Sequence, residues 1–176
     1  MSELFSIQLQ NRQQQGRDGV WLDLPTTTEQ VQVALRQIGI SSDNPQGLFI
    51  SGYFAEEEKR FAISYNMVLA SNVDELNFLA SRLETLSTGE RAELNAALQA
   101  PQSELFSIGR ITDFPENVDY YVHLPDVHGP AQLGDYYLNR SGMVNMPEEW
   151  KGGIDTAQFG RYVAQQEQGV FTEYGY

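Results

Sequence analysis

Val20-Trp21-Leu22-Asp23-Leu24-Pro25-Thr26-Thr27-Thr28-Glu29 joins two kinds of periodicity in one short stretch. Up to Leu24 apolar and polar positions alternate, which is the pattern of a half-buried strand. Beyond Pro25 the period changes. Thr26 and Glu29 stand at capping-box spacing, and Val31, Ala34, Leu35 and Ile38 fall on one helical face that stops at Gly39. Upstream, residues 4–9 alternate with Phe5, Ile7 and Leu9 on one side, and the polar stretch from Asn11 to Asp18 separates them from Val20. The two runs are predicted to pair as strands. Downstream, Leu48 to Phe54 is apolar and aromatic, bounded by Asn44-Pro45 and by Glu56-Glu57-Glu58, and is expected to complete a small antiparallel sheet. Residues 1–60 therefore read as a sheet with one helix, and the chain as α+β.

From Ala62 to Ile108 the period is helical. Leu76, Leu79, Ala80, Leu83 and Leu86 form one stripe, preceded by Ser71 and Asp74 at capping distance. Ser87 and Glu90 repeat that spacing ahead of Leu94, Ala97 and Leu98, Pro101 ends the second helix, and a third short segment runs from Ser103 to Ile108. Residues 61–108 are thus expected to form a helical middle unit. Residues 109–176 mix signals: Val118 to Leu124 reads as a strand, Gln132 to Asn139 and Ala157 to Gln165 as helices with Asp155 as a cap, and Val170 to Tyr174 as a closing strand. The hexapeptide Ser-Glu-Leu-Phe-Ser-Ile occurs at 2–7 and again at 103–108, once in strand-like and once in helix-like surroundings, and is read as coincidence.

Composition narrows the function classes. At 176 residues and 41% apolar content the chain can bury a core. Its 24 acidic and 11 basic residues leave a net charge of −13, which argues against direct binding to nucleic acid or anionic membranes and for a basic partner. The acids are scattered: residues 1–60 carry 8 acids and 5 bases, 61–108 carry 6 and 2, and 109–176 carry 10 and 4. A solubilising surface is the ordinary explanation of such a distribution. The absence of cysteine excludes disulfides, thiolate metal sites and a cysteine nucleophile. The N-terminal segment lacks the basic start and apolar run of a signal peptide, and no stretch approaches membrane-spanning length, so a soluble cytoplasmic protein is expected.

Catalytic and cofactor chemistry finds little support. His123, Asp126 and His128 could hold a metal only if a turn at Pro125 brought them together, and no further histidine exists to complete a shell. Gly142 and Gly152-Gly153 lack phosphate-binding spacing, and no Gly-x-Ser-x-Gly elbow is present. Neither a cofactor nor a metal is expected. Paired carboxylates for hydrolysis stay open, because separations cannot be read from a sequence. Tyr120, Tyr121, Tyr136, Tyr137, Tyr162, Tyr174 and Tyr176 crowd the last third beside Trp150, Phe159 and Phe171, a density that suits a core or a symmetric contact.

Four stretches, taken in order, resemble the ArdA antirestriction proteins. They are Gly19 to Pro25 with its following helix; Leu76-Asn77-Phe78-Leu79-Ala80 with Leu83-Glu84; Asp113-Phe114-Pro115-Glu116-Asn117-Val118-Asp119-Tyr120-Tyr121, which is similar to that family's antirestriction motif; and a C-terminal series. The last comprises Leu133-Gly134-Asp135-Tyr136-Tyr137, Ile154-Asp155, Phe159-Gly160-Arg161 and Gly169 to Tyr176.

The resemblance implies an elongated α+β chain of three small consecutive domains, here 1–60, 61–108 and 109–176, and a homodimer made through the last. It implies a non-enzymatic DNA mimic that occupies the DNA groove of type I restriction-modification enzymes, blocks restriction and modification, and serves a mobile genetic element in evading host defence. The acids expected to imitate phosphates are Glu56, Glu57, Glu58, Asp74, Glu75, Glu84, Glu90 and Glu93, with Asp135, Glu148 and Glu149. Asp113, Pro115, Glu116, Val118 and Tyr121 carry over from the motif and are expected to shape the dimer contact. The chain departs from the family where Ser51-Gly52-Tyr53-Phe54-Ala55-Glu56 replaces an Asp-Tyr-Glu-like segment. Alternatives are an inhibitor of another basic DNA-binding protein, a carboxylate-based hydrolase whose acids converge in a cleft, and an adaptor using the tyrosine-rich face.

Overall fold

The computed structural model describes residues 3–14, 18–41, 45–101 and 103–176. Ser2 of the first hexapeptide, residues 15–17 of the polar stretch and Asn44 lie outside the described residues. The chain is α+β and divides into two compact units, one of residues 1–91 with 104–118, the other of 92–103 with 119–176.

Unit 1 is built on a three-stranded antiparallel sheet in the order β2-β1-β3, with β1 Phe5–Asn11, β2 Val20–Leu24 and β3 Leu48–Phe54. The alternation in β1 buries Phe5, Ile7 and Leu9, and the register sets them opposite Leu24, Leu22 and Val20. Helix α1, Thr28–Gln37, follows β2 and buries Val31 and Ala34. Its capping box uses Thr27 and Gln30, one residue beyond the expected pair. Three threonines in a row offer equally competent caps, and spacing alone does not choose among them. Asn11 is buried at the end of β1 and donates to Ile38 O (3.0 Å) and Gly39 O (3.3 Å), tying the strand to the end of α1. Gly39 there has φ +71°, a left-handed conformation that permits this close stop.

A 3₁₀ turn, Glu57–Lys59, and the short α2, Tyr65–Leu69, lead to α3, Val73–Glu84. Its stripe Leu76, Leu79, Ala80 and Leu83 is fully buried, roughly 2 kcal/mol of hydrophobic stabilisation for each leucine. The cap is Asn72, accepting from Glu75 N at 2.9 Å, again one residue past the expected Ser71. Asn77 clamps α3 to the turn after β2: its side chain accepts from Thr26 N (2.7 Å) and donates to Thr26 O (3.0 Å). The unit closes with α5, Ile108–Thr112, packed on α3, and α6, Phe114–Asn117, which buries Phe114. Helix α5 begins only at Ile108. Ser103 to Ser107 is an irregular approach rather than a helix, with Ser107 as the cap.

The helix between, α4, Thr88–Gln99, has the expected reciprocal cap, Ser87 Oγ accepting from Glu90 N (3.3 Å) and Glu90 accepting from Ser87 N (2.8 Å).

Unit 2 contains α7, Pro130–Asp135, continued by a π-helical turn, Tyr136–Arg140, then α8, Glu148–Lys151, and α9, Thr156–Glu167, capped by Asp155 through Gln158 N at 2.9 Å. Two expected strands are absent. Val118 opens a 3₁₀ turn, Val118–Tyr120, that continues from α6, and residues 121–124 are irregular. Pro115 in the first turn of α6 fixes a helical start, and the apolar positions that suggested a strand, Tyr120 and Val122, are 85% and 81% exposed. Val170 to Tyr174 is likewise no strand: the segment turns back on itself in one bridge, Thr172 to Gly175, and Tyr176 exchanges two backbone hydrogen bonds with Leu124 (2.8 and 3.1 Å).

Candidate functional site

Among the described residues no group of three or more histidines and carboxylates could hold a metal ion. His123 Nε2 lies 2.8 Å from Tyr174 O, which ties residues 121–124 to the C-terminal turn, and His128 donates its backbone N–H to Gln132 at 2.7 Å at the start of α7. The candidate surface is instead the set of carboxylates that helix starts and short turns carry outward.

In unit 1, Glu56, Glu57 and Glu58 sit together and exposed around the 3₁₀ turn after β3, a position that leaves their side chains in water. Glu56 pairs with Lys59 at 3.0 Å. Glu57 and Glu58 have no ion-pair partner among the described residues. Asp74 and Glu75 occupy the first turn of α3, where unpaired backbone N–H groups favour negative charge. Glu84 ends the same helix about 15 Å further along its axis. Glu75 and Glu84 are half-buried. Glu90 is half-buried too, its side chain returned to the cap of α4: the Ser87 hydroxyl and then the Ser87 backbone N–H hold its carboxyl below the usual carboxylate range. The same logic acts at Glu29, lowered first by its own backbone N–H and then by Thr27. Helix starts thus keep these acids ionised.

In unit 2, Glu93 is half-buried beside a cavity of about 170 Å³ between α4 and the C-terminal turn. Asp135 is half-buried, accepts from Asn139 at 2.8 Å and pairs with Arg140 at 3.4 Å. Glu148 pairs with Lys151 at 2.6 Å, and Glu149 beside it is exposed and has no ion-pair partner among the described residues. The structure therefore gathers Glu56 to Glu58 in one place, Asp74 with Glu75 in another, and Glu148 with Glu149 in a third. Ion pairs neutralise Glu56, Asp135 and Glu148 locally.

The motif residues divide between the units. Asp113 is exposed where α5 ends and α6 begins, Pro115 is half-buried in the first turn of α6, and Glu116 is exposed and forms an ion pair with Arg82 of α3. Val118 is half-buried at the start of the 3₁₀ turn. Tyr121 belongs to unit 2 and lines the cavity beside Glu93.

Sequence reading missed three contributors. Arg82 fixes the motif helix by charge, and Asn77 fixes the turn after β2. Glu167 accepts hydrogen bonds from the hydroxyls of both Tyr137 and Tyr176, the latter at 3.0 Å. Burial first, and the adjoining carboxylate second, push Tyr137 up to about 12 and Tyr176 higher still. Only the residue types were visible beforehand, since none of these partners is near in sequence.

A family model described as antirestriction protein (ArdA) matches residues 15–176. No curated protein matches the chain.

Proposed function

The chain belongs to the ArdA antirestriction protein family, and from that premise we propose that it inhibits type I restriction-modification enzymes by occupying their DNA groove as a mimic of the duplex. The match over nearly the whole chain carries this reading, and the charge agrees with it. The partner is a basic protein groove, the protein works in the cytoplasm, and two copies associate through residues 109–176 with the motif shaping the contact. No bond is made or broken, so neither cofactor nor metal is required, and modification is blocked along with cleavage. No helix among the described residues is long and apolar enough to cross a membrane.

B-DNA carries one charge per about 1.7 Å of axis, so the carboxylates of two copies match at most the phosphates of about 24 base pairs. The exposed acids without an ion pair among the described residues, Glu57, Glu58, Asp74 and Glu149, are the strongest individual mimics, because a carboxylate already held by a lysine or arginine offers the target less net charge. A folded acidic protein also has fewer condensed counterions to release than DNA, so shape must supply part of the affinity.

The test is plating of unmodified phage on cells with a type I restriction system, with and without the protein. Recovered plating is expected, and its weakening when Glu57, Glu58, Asp74 and Glu149 are reversed to lysine with unchanged circular dichroism. Unrecovered plating with soluble protein present would overturn the reading; full inhibition by the reversed variant would remove these acids from the mechanism.

A further inference from the structure

Strand β2 is an edge of the sheet, and its outer side pairs with nothing among the described residues. Beside that edge runs a groove of about 500 Å³, walled by the consecutive residues Val20 to Asp23 and, opposite, by one stripe of α1 that includes Gln30, Val33 and Gln37. Consecutive strand residues can all line one groove only where it follows the strand's edge, since alternate side chains point to opposite faces. Val33 is 47% exposed, so apolar surface is left open on the helix wall. The Trp21 ring is held in place across the sheet, 3.0 Å from where a Cβ on Gly52 would stand.

The groove has a charge. Glu3 and Asp23 line it, the Ser6 hydroxyl donates to Asp23 at 2.6 Å, and no lysine or arginine lies along its walls among the described residues. A second copy pairing edge to edge would set Asp23 and Glu3 against their own equivalents, and like charges oppose that arrangement. A nucleic acid would meet the same repulsion. An extended segment carrying lysine or arginine and aliphatic residues meets carboxylates, the exposed Val33 side chain and backbone groups unpaired among the described residues.

We propose that this groove receives an extended segment of the target protein, with alternating cationic and aliphatic residues, as a fourth strand against β2. The inference rests on the reading that the target is a basic DNA-binding protein and adds a strand-pairing contact to the electrostatic one. Such a contact supplies shape-dependent affinity that survives salt better than carboxylates alone.

The probe is a short capped peptide alternating lysine and valine, titrated into the full chain carrying Trp150→Phe so that emission reports Trp21 alone. Its comparators are the same peptide with alternate amides N-methylated and a glutamate-valine counterpart. Saturable change is expected with the lysine peptide only, weakened about tenfold by Val33→Lys, which adds charge to an exposed helix wall and lies four residues after Glu29 in a favourable orientation. Gln32→Lys adds the same charge one residue away, outside the groove, and is expected to bind nearly as wild type. Equal binding of the N-methylated peptide, or no difference between Val33→Lys and Gln32→Lys, would overturn the proposal.

Phage plating with the same variants separates this from the functional reading. Wild type that restores plating yet binds no peptide overturns the groove and leaves antirestriction standing. Peptide binding without any restored plating overturns antirestriction instead. Val33→Lys that restores plating as fully as Gln32→Lys overturns the groove's part in inhibition.

Discussion

Unit 1 and unit 2 solve the problem of a small core differently. In unit 1 side chains do the packing: Ile7, Leu9, Leu24, Leu76, Leu79, Leu83, Ile111 and Phe114 are fully buried between the sheet and α3, α5 and α6. In unit 2 few large side chains are buried so deeply, chiefly Leu94, Val127 and Leu133, and α7 meets α9 through backbone. A Cβ on Gly134 would stand 1.9 Å from Thr156 O, and one on Gly160 would stand 1.8 Å from Pro130 O. Close helix contact replaces side-chain volume, so unit 2 tolerates added atoms worst where unit 1 tolerates lost atoms worst.

The largest effect that tests this contrast is therefore a single added methyl. Gly134→Ala is expected to destabilise unit 2 by about 3 kcal/mol, because the blocking atoms are backbone and cannot rotate away. Hydrogen exchange resolved by segment checks it: amides of 130–135 and 156–167 should exchange faster, while those of β1 and α3 keep their protection. An equal loss in β1 and α3 would break the contrast by showing one cooperative unfolding body.

What could be read from the sequence follows the same division. The strands and helices of unit 1 have side-chain periods, so the Phe5-Ile7-Leu9 alternation, the apolar run Leu48–Phe54 and the Leu76 stripe were legible. The contact between Gly134 and Gly160 has no period, and a glycine gives no hint of which backbone it will touch. Val118 to Leu124 misled for a related reason: alternation of Val118, Tyr120 and Val122 marks a strand only if a neighbouring strand exists to pair with, and the helical start at Pro115 took precedence. Candidate acids were legible as residues, whereas their neutralisation by Lys59, Arg140 and Lys151 was not, because ion pairing depends on where turns send each side chain.

Tyrosine hydroxyls sharpen the comparison at smaller amplitude. In unit 1 the Tyr53 hydroxyl is buried with no hydrogen-bond partner among the described residues, its ring makes an edge-on contact with Phe5 at 5.4 Å, and burial raises its pKa. Removing an unsatisfied polar atom relieves its desolvation cost, so Tyr53→Phe is expected to stabilise unit 1 by about 1 kcal/mol in urea denaturation. A loss of similar size would show that the hydroxyl is paired in solution.

Unit 2 does the opposite with Tyr137 and Tyr176, whose hydroxyls share Glu167 and whose ring neighbours close the C-terminal turn, Phe171 lying 4.9 Å from Tyr176. Both phenols hold their protons more tightly folded than unfolded, Tyr137 up to about 12 against an ordinary value of 10.0. Their contribution is thus complete below pH 10, where folded and unfolded phenols are both protonated. It declines as pH rises from there through about 12, since the unfolded chain ionises first and the folded one must surrender its hydrogen bonds to follow. Both groups are half-buried at sites that solvent still reaches, so screening keeps this the smallest of the three effects. Alkaline titration followed by tyrosinate absorbance should show three late-ionising phenols, Tyr53, Tyr137 and Tyr176, of which Tyr53→Phe removes the first, with exchange rising in 156–167 over the window of the other two. Glu167→Gln removes the carboxylate charge that opposes ionisation and should move both titrations back toward pH 10; unmoved titrations would leave burial alone as the cause.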